Sequence, residues 1–158
     1  MKLTRLIYAS NHGGATAATI EDILQASRTN NARDNISGAL VVSNEDFMQV
    51  LEGPRAAVSR CLTRIMADPR HHNIHVLSSG DTEERMFPQW DMYSINAARI
   101  PKEIVSPYMI DNVFRPDLLE SKGVNDLCSK LSRISSVRRL TRPSIITAPG
   151  EKIMNYGR

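Results

Sequence analysis

Cysteine is scarce in this chain. Only Cys61 and Cys128 occur among its 158 residues, and both fall within helical patterns, so no disulfide framework is expected. No apolar run approaches the roughly 18 residues that would span a bilayer. The opening MKLTRLIYAS carries Lys2 and Arg5 but only a brief apolar run, and so lacks the core of a secretory signal. These absences predict a cytoplasmic protein with no membrane partner.

Enzyme signatures are missing as well. There is no G-x-x-x-x-G-K-[ST], G-x-S-x-G, H-E-x-x-H or C-x-x-C, and no spaced carboxylate pair suited to acid–base work. The loop NHGGAT has glycines but neither the lysine nor the frame of a phosphate loop. His71 and His72 are adjacent rather than one helical turn apart, and no Cys/His cluster accompanies them, so no metal site is expected. The chain does not read as an enzyme.

What is present fits a folded domain. Charged residues make up 23% and hydrophobic residues 41%, which excludes wholesale disorder. A net charge of +3 and a pI near 9.1 say little about partners. LTRLIYAS reads as a strand, and a helix follows from Thr19 to about Asn30, with Thr19 and Asp22 resembling a capping box. ISGALVV and DFMQVLEGP read as a hairpin of strands joined at SNED. Pro54 then opens a second helix, on which Val58, Cys61, Leu62, Ile65 and Met66 form an apolar stripe. NIHVLSS and QWDMYSI read as strands four and five, separated by the loop GDTEERMFP. The order β-α-β-β-α-β-β predicts an α+β, ferredoxin-like fold: a mixed sheet with two helices on one face.

Residues 1–96 form this predicted domain, 97–142 a C-terminal helical extension, and 143–158 a flexible tail. Val124, Leu127, Leu131 and Ile134 give a short seam that docks onto the sheet's open face or onto a second copy. Lys130, Arg133, Arg138, Arg139 and Arg142 form a basic stretch without interleaved aromatics. It reads as a solvated helix end, with nucleic-acid binding as the alternative.

Several polar groups sit on otherwise apolar elements. Gln49 shares a strand face with Phe47 and Leu51, and a buried amide without a partner costs about 1–3 kcal/mol. Tyr8 lies along one face of strand one with Thr4 and Leu6, where its phenol can pack, donate a hydrogen bond or act as a redox group. Asn30 and Asn31 close helix one, and paired carboxamides can read the donors and acceptors of a heterocycle. Arg60 and Arg64, followed by Asp68, Arg70 and His71, form either a solvated face or a grip for a phosphate or polyol chain. Trp90 and Met92 alternate on strand five, as core residues do. From the residues alone this is a pocket without a named ligand.

Taken together, RLIYAS, ILQASRTNNARDNISGAL, FMQVLEGP, RIMADPRHHNI and RMFPQWDMYSI resemble the BLUF family, blue-light sensors using FAD, over residues 3–96. The resemblance implies the same ferredoxin-like fold and an isoalloxazine ring between the two helices, flanked by Ile23 and Ile65. It implies that Asn31 bonds the C4 carbonyl or the neighbouring ring edge, with Asn30 close by. Arg28, Arg64, Asp68, Arg70 and His71 would lie near the ring rim or the ribityl-phosphate side. Tyr8 and Gln49 match the photoactive pair of that family, and Trp90 and Met92 its two mobile residues. The implied cofactor is FAD, with FMN or riboflavin as substitutes. The implied output goes to a separate effector protein, from a homo-oligomer. The alternatives are direct nucleic-acid binding, a small-ligand enzyme and a flavin protein without photoactivity.

Overall fold

The computed structural model describes residues 2–88, 92–138 and 146–147. The elements run β1 (Leu3–Asn11), α1 (Ala17–Asp34), β2 (Ser37–Val42), β3 (Asp46–Pro54), α2 (Arg55–Ala67), β4 (His72–Thr82) and β5 (Tyr93–Asn96). Then come α3 (Lys102–Val105), β6 (Met109–Ile110), β7 (Val113–Phe114), α4 (Ser121–Arg138) and β8 (Ile146–Thr147). The first seven follow the predicted order and build the ferredoxin-like sheet. The strands lie side by side as β4-β1-β3-β2-β5-β8. All neighbours among β1 to β4 are antiparallel, and β5 joins β2 in parallel.

Alternation along the strands sorts the core into two layers. Leu6, Tyr8, Leu40, Phe47 and Leu51 face α1 and α2, where they meet Ile20, Ile23, Leu24 and Val58. Their neighbours Ile7, Val41, Met48 and Val50 face the other way. There they are covered by Val124, Leu127 and Leu131 of α4, with Ile134 packed at the edge. The apolar seam therefore docks onto the sheet's open face. Gly38 of β2 lies opposite Leu51 of β3, and a Cβ there would collide with the Val50 carbonyl. No larger residue permits that approach.

Local boundaries depart from expectation in instructive places. Thr16, not Thr19, caps α1: its hydroxyl accepts from the Thr19 N–H at 3.2 Å. The helix passes through Asn30 and Asn31 and ends at Asp34, and Asn35 takes the left-handed cap with φ 56°. Asn31 continues the inward stripe of Ile20, Ile23 and Leu24, so packing holds it helical although asparagine favours helix ends. Pro54 precedes α2 rather than opening it, and Met66 is 60% exposed instead of joining the apolar stripe. β4 extends through Gly80, Asp81 and Thr82, which were expected in a loop, because they pair with Leu3, Thr4 and Arg5 of β1. β5 starts only at Tyr93, so Met92 lies just before the strand. Trp90 falls outside the described residues. Within the stretch expected as a tail, Ile146–Thr147 pairs with β5.

The segment between β4 and β5 is tied to the sheet by a buried carboxylate. Glu52 is fully buried and accepts from Arg5 Nε at 2.9 Å, the Met86 N–H at 2.9 Å and the Phe87 N–H at 3.0 Å. Arg85 reinforces the tie by donating to the Glu52 carbonyl and the Ser37 hydroxyl, both at 2.8 Å. On α4, the Lys130 ammonium donates to the Tyr108 hydroxyl at 3.0 Å, and so belongs to the fold rather than to a free basic surface. Among the described residues no helix is long and apolar enough to cross a membrane.

Candidate functional site

Tyr8 and Gln49 stand directly opposite each other on the paired strands β1 and β3. Both side chains point toward α1 and α2, and both are buried. The Tyr8 hydroxyl donates to Gln49 Oε1, and Gln49 Nε2 donates to Met92 Sδ at 3.2 Å. The amide thus finds a protein partner at each end. Burial above all, then Cys61 and Asp68, pushes the Tyr8 phenol well above its usual range. Tyr8 is therefore a protonated hydrogen-bond donor at neutral pH.

A cleft of about 130 Å³ opens between the helices and reaches Gln49. From α1 it is lined by Ile23, Asn30 and Asn31, and from α2 by Arg64 and Ile65. Asp68, Arg70 and His71, just past α2, also line it. Arg28 is placed differently. It does not line the cleft; its Nε donates to the Met92 carbonyl at 3.2 Å, because its side chain is directed toward the approach to β5.

Ala26, Ser27 and Cys61 also line the cleft, although nothing in the sequence marks them as site residues. Their one signal is small size at inward or flanking helix positions, which leaves room but names no chemistry. Cys61 has one further role, since its thiol donates to Asn31 Oδ1 at 3.8 Å and links the two helices across the cleft.

Charge around the cleft is organised in clusters of opposite sign. Arg33 and Arg64 both bond Asp34, and the Arg33 hydrogen bond leads in holding its carboxyl down to about 2. Arg70 forks onto Asp68, with its closest contact at 2.7 Å, and that hydrogen bond lowers the Asp68 carboxyl. His71 bonds the Ser10 hydroxyl through Nδ1 at 2.9 Å and packs 5.2 Å from the Phe47 ring. Burial lowers its pKa to about 4, so the imidazole is neutral at physiological pH.

A larger depression of about 920 Å³ lies at the far side of the sheet, between the β2–β3 turn and the β6–β7 hairpin. It shares no lining residue with the helical cleft, and neither Tyr8 nor Gln49 lines it. Size alone does not make it the site. The helical cleft instead combines apolar walls, Ile23 and Ile65, with the buried amides Asn31 and Gln49 and a rim of arginines. That combination suits a flat aromatic ring with a polar edge and a phosphate-bearing chain, and so fits a flavin. Among the described residues no group of His, Cys, Asp and Glu could hold a metal ion.

Comparison with known proteins agrees with this chemistry. A family model described as sensors of blue-light using FAD matches residues 3–93. Photoactivated adenylate cyclase subunit beta of Euglena gracilis is 36% identical over 73 residues, an overlap of 46% of this chain and 8% of that protein. The blue light- and temperature-regulated antirepressor BluF of Escherichia coli (strain K12) is 34% identical over 73 residues, covering 46% of this chain and 18% of that protein. The chain thus spans less than a fifth of either relative. The dark-state structure of BlrB, a BLUF protein, superposes with a TM-score of 0.71 at 32% identity, covering 84% of this chain and 96% of that one. With a family match over more than half its length and a cleft fitted to a flavin, the chain belongs to the BLUF family of blue-light sensors that use FAD.

Proposed function

We propose that this protein is a blue-light switch whose working parts are Tyr8, Gln49 and Met92. The observation that carries the reading is the buried chain from the Tyr8 hydroxyl through the Gln49 amide to the Met92 thioether. Ile23 and Ile65 would sandwich the flavin ring, Asn31 and Asn30 would bond its polar edge, and Arg64, Asp68, Arg70 and His71 would lie along its rim and side chain. When bound and excited by blue light, the flavin supplies a strong oxidant in the cleft.

The protein residues handle the charge and the proton. Tyr8 holds its proton firmly in the ground state; only loss of an electron makes the phenol acidic enough to release that proton along the existing bond to Gln49 Oε1. Gln49 then rotates, changes tautomer or does both, and its Nε2–H no longer reaches Met92 Sδ. Recombination returns the electron and the proton to Tyr8 but leaves the amide rearranged. Met92 adjoins β5, which pairs with β2 at the centre of the sheet that α4 covers. A bistable hydrogen bond thereby biases the sheet and its cap. The matched relatives are named as light-regulated cyclases and an antirepressor. By analogy this chain passes its state to an effector, which we read as a separate protein; a homo-oligomer in the cytoplasm is part of the same proposal and rests on the family resemblance.

The test is the light–dark difference spectrum of the purified protein. Wild type shows a reversible red shift of the flavin band. Tyr8→Phe retains bound flavin and loses the shift. An unchanged photocycle in Tyr8→Phe overturns the mechanism, and a protein that takes up no flavin overturns the whole reading.

A further inference from the structure

Met92 is held at two points by two different elements. Its thioether receives the Gln49 amide of β3, and its backbone carbonyl receives Arg28 Nε of α1, each at 3.2 Å. The carbonyl lies one residue before the β2–β5 ladder, whose register starts at Ala39 and Tyr93. At that position, ahead of the ladder, the guanidinium supplies its donor. Met92 itself is 1% exposed and packs in the layer that contains Tyr8.

We infer that Arg28 is a positioning residue of the switch: it clamps the Met92 backbone to α1 so that the thioether returns to the Gln49 amide in the dark. Two properties support this. The bond is charge-assisted, and such bonds are stronger than those between neutral groups. It also grips the main chain, so it fixes Met92 regardless of which side-chain rotamer the residue adopts. When Gln49 rearranges, the side-chain contact is lost while the backbone contact is kept, and the thioether stays within reach for the return. Without the clamp, reseating Met92 requires ordering a freer segment, which slows the return. The inference rests on the switch proposed for Tyr8, Gln49 and Met92, and it assigns Arg28 a role distinct from contact with the flavin.

The test uses the full flavin-loaded chain labelled with 13C-methyl methionine, comparing wild type, Arg28→Leu and Arg28→Lys. The chain has 7 methionines, and Met92→Leu identifies the Met92 methyl resonance. In the dark, Arg28→Leu shifts or splits that resonance and leaves those of Met48 on β3 and Met66 on α2 in place. After illumination its recovery is slower by about tenfold, the order expected when the backbone of one residue must be ordered again on the return. Arg28→Lys, which keeps a cationic donor, restores both readouts toward wild type. A Met92 resonance unmoved in Arg28→Leu overturns the clamp. So does recovery within about twofold of wild type, a difference too small for the re-ordering of one residue's backbone. If wild type itself shows no red shift, the proposed switch fails, and the dark methyl spectrum still judges the Arg28–Met92 contact alone.

Discussion

Replacing Glu52 by glutamine tests how strongly the buried carboxylate secures the path to Met92. The change preserves shape and removes the charge. In the native structure Glu52 is 0% exposed and receives three donors: Arg5 Nε and the N–H groups of Met86 and Phe87. A glutamine offers one acceptor oxygen and an NH2 group that must face at least one of those donors. Hydrogen bonds to a charged group contribute about 1.5–3 kcal/mol each, and breaking a buried ion pair from one side costs about 3–5 kcal/mol. These losses overlap, so the expected destabilisation is about 3–5 kcal/mol in total. That is a large part of the roughly 5–15 kcal/mol typical of a folded domain. Urea unfolding at neutral pH, followed by far-ultraviolet circular dichroism, measures it as a lower midpoint at unchanged slope. At about 2–4 °C per kcal/mol for a chain of this size, the melting temperature falls by about 6–20 °C. A loss below about 1 kcal/mol would refute the reasoning, because it would mean that the donors find water or other partners.

Other expectations follow from the same structure. Gln49→Leu removes the amide that joins Tyr8 to Met92, so the reversible red shift disappears from the difference spectrum; a full shift in that variant counts against the amide relay. Leu127→Ala empties a fully buried position between α4 and the sheet, and chemical denaturation is expected to show a loss of about 2–5 kcal/mol. His71 has a folded pKa lowered to about 4 by burial, so only the neutral form suits the fold. Its contribution is complete above the unfolded value of about 6.5 and is lost as pH falls from there toward 4. Unfolding midpoints across that range, compared with His71→Asn, should show a steeper acid loss in wild type.

Much of the fold and of the cleft is legible in the residues themselves. Alternation in LTRLIYAS and FMQVLEGP places Tyr8 and Gln49 on inward faces, and the stripe of Ile20, Ile23 and Leu24 orients α1. These are local periodicities, which need no knowledge of distant residues. The lining of the cleft is legible by another route: periodicity gives only the stripes that hold Ile23 and Ile65, and it is the family resemblance that assigns Ile23, Asn31, Arg64 and Ile65 to one cleft. Helix ends are less legible. Several asparagines compete for one left-handed cap, and burial of Asn31 decides that the cap falls on Asn35.

Which residues face inward, and what chemistry they carry, follows from side-chain periodicity, a property of each element alone. Their partners are set by long-range packing. The registers of β1 with β3 and of β2 with β5 are contacts between remote segments, and from them come the Tyr8–Gln49–Met92 chain and the reach of Arg28 to the Met92 carbonyl. The choice of the open sheet face by α4 is of the same kind. It depends on an apolar surface that exists only once Ile7, Val41 and Val50 have been brought side by side.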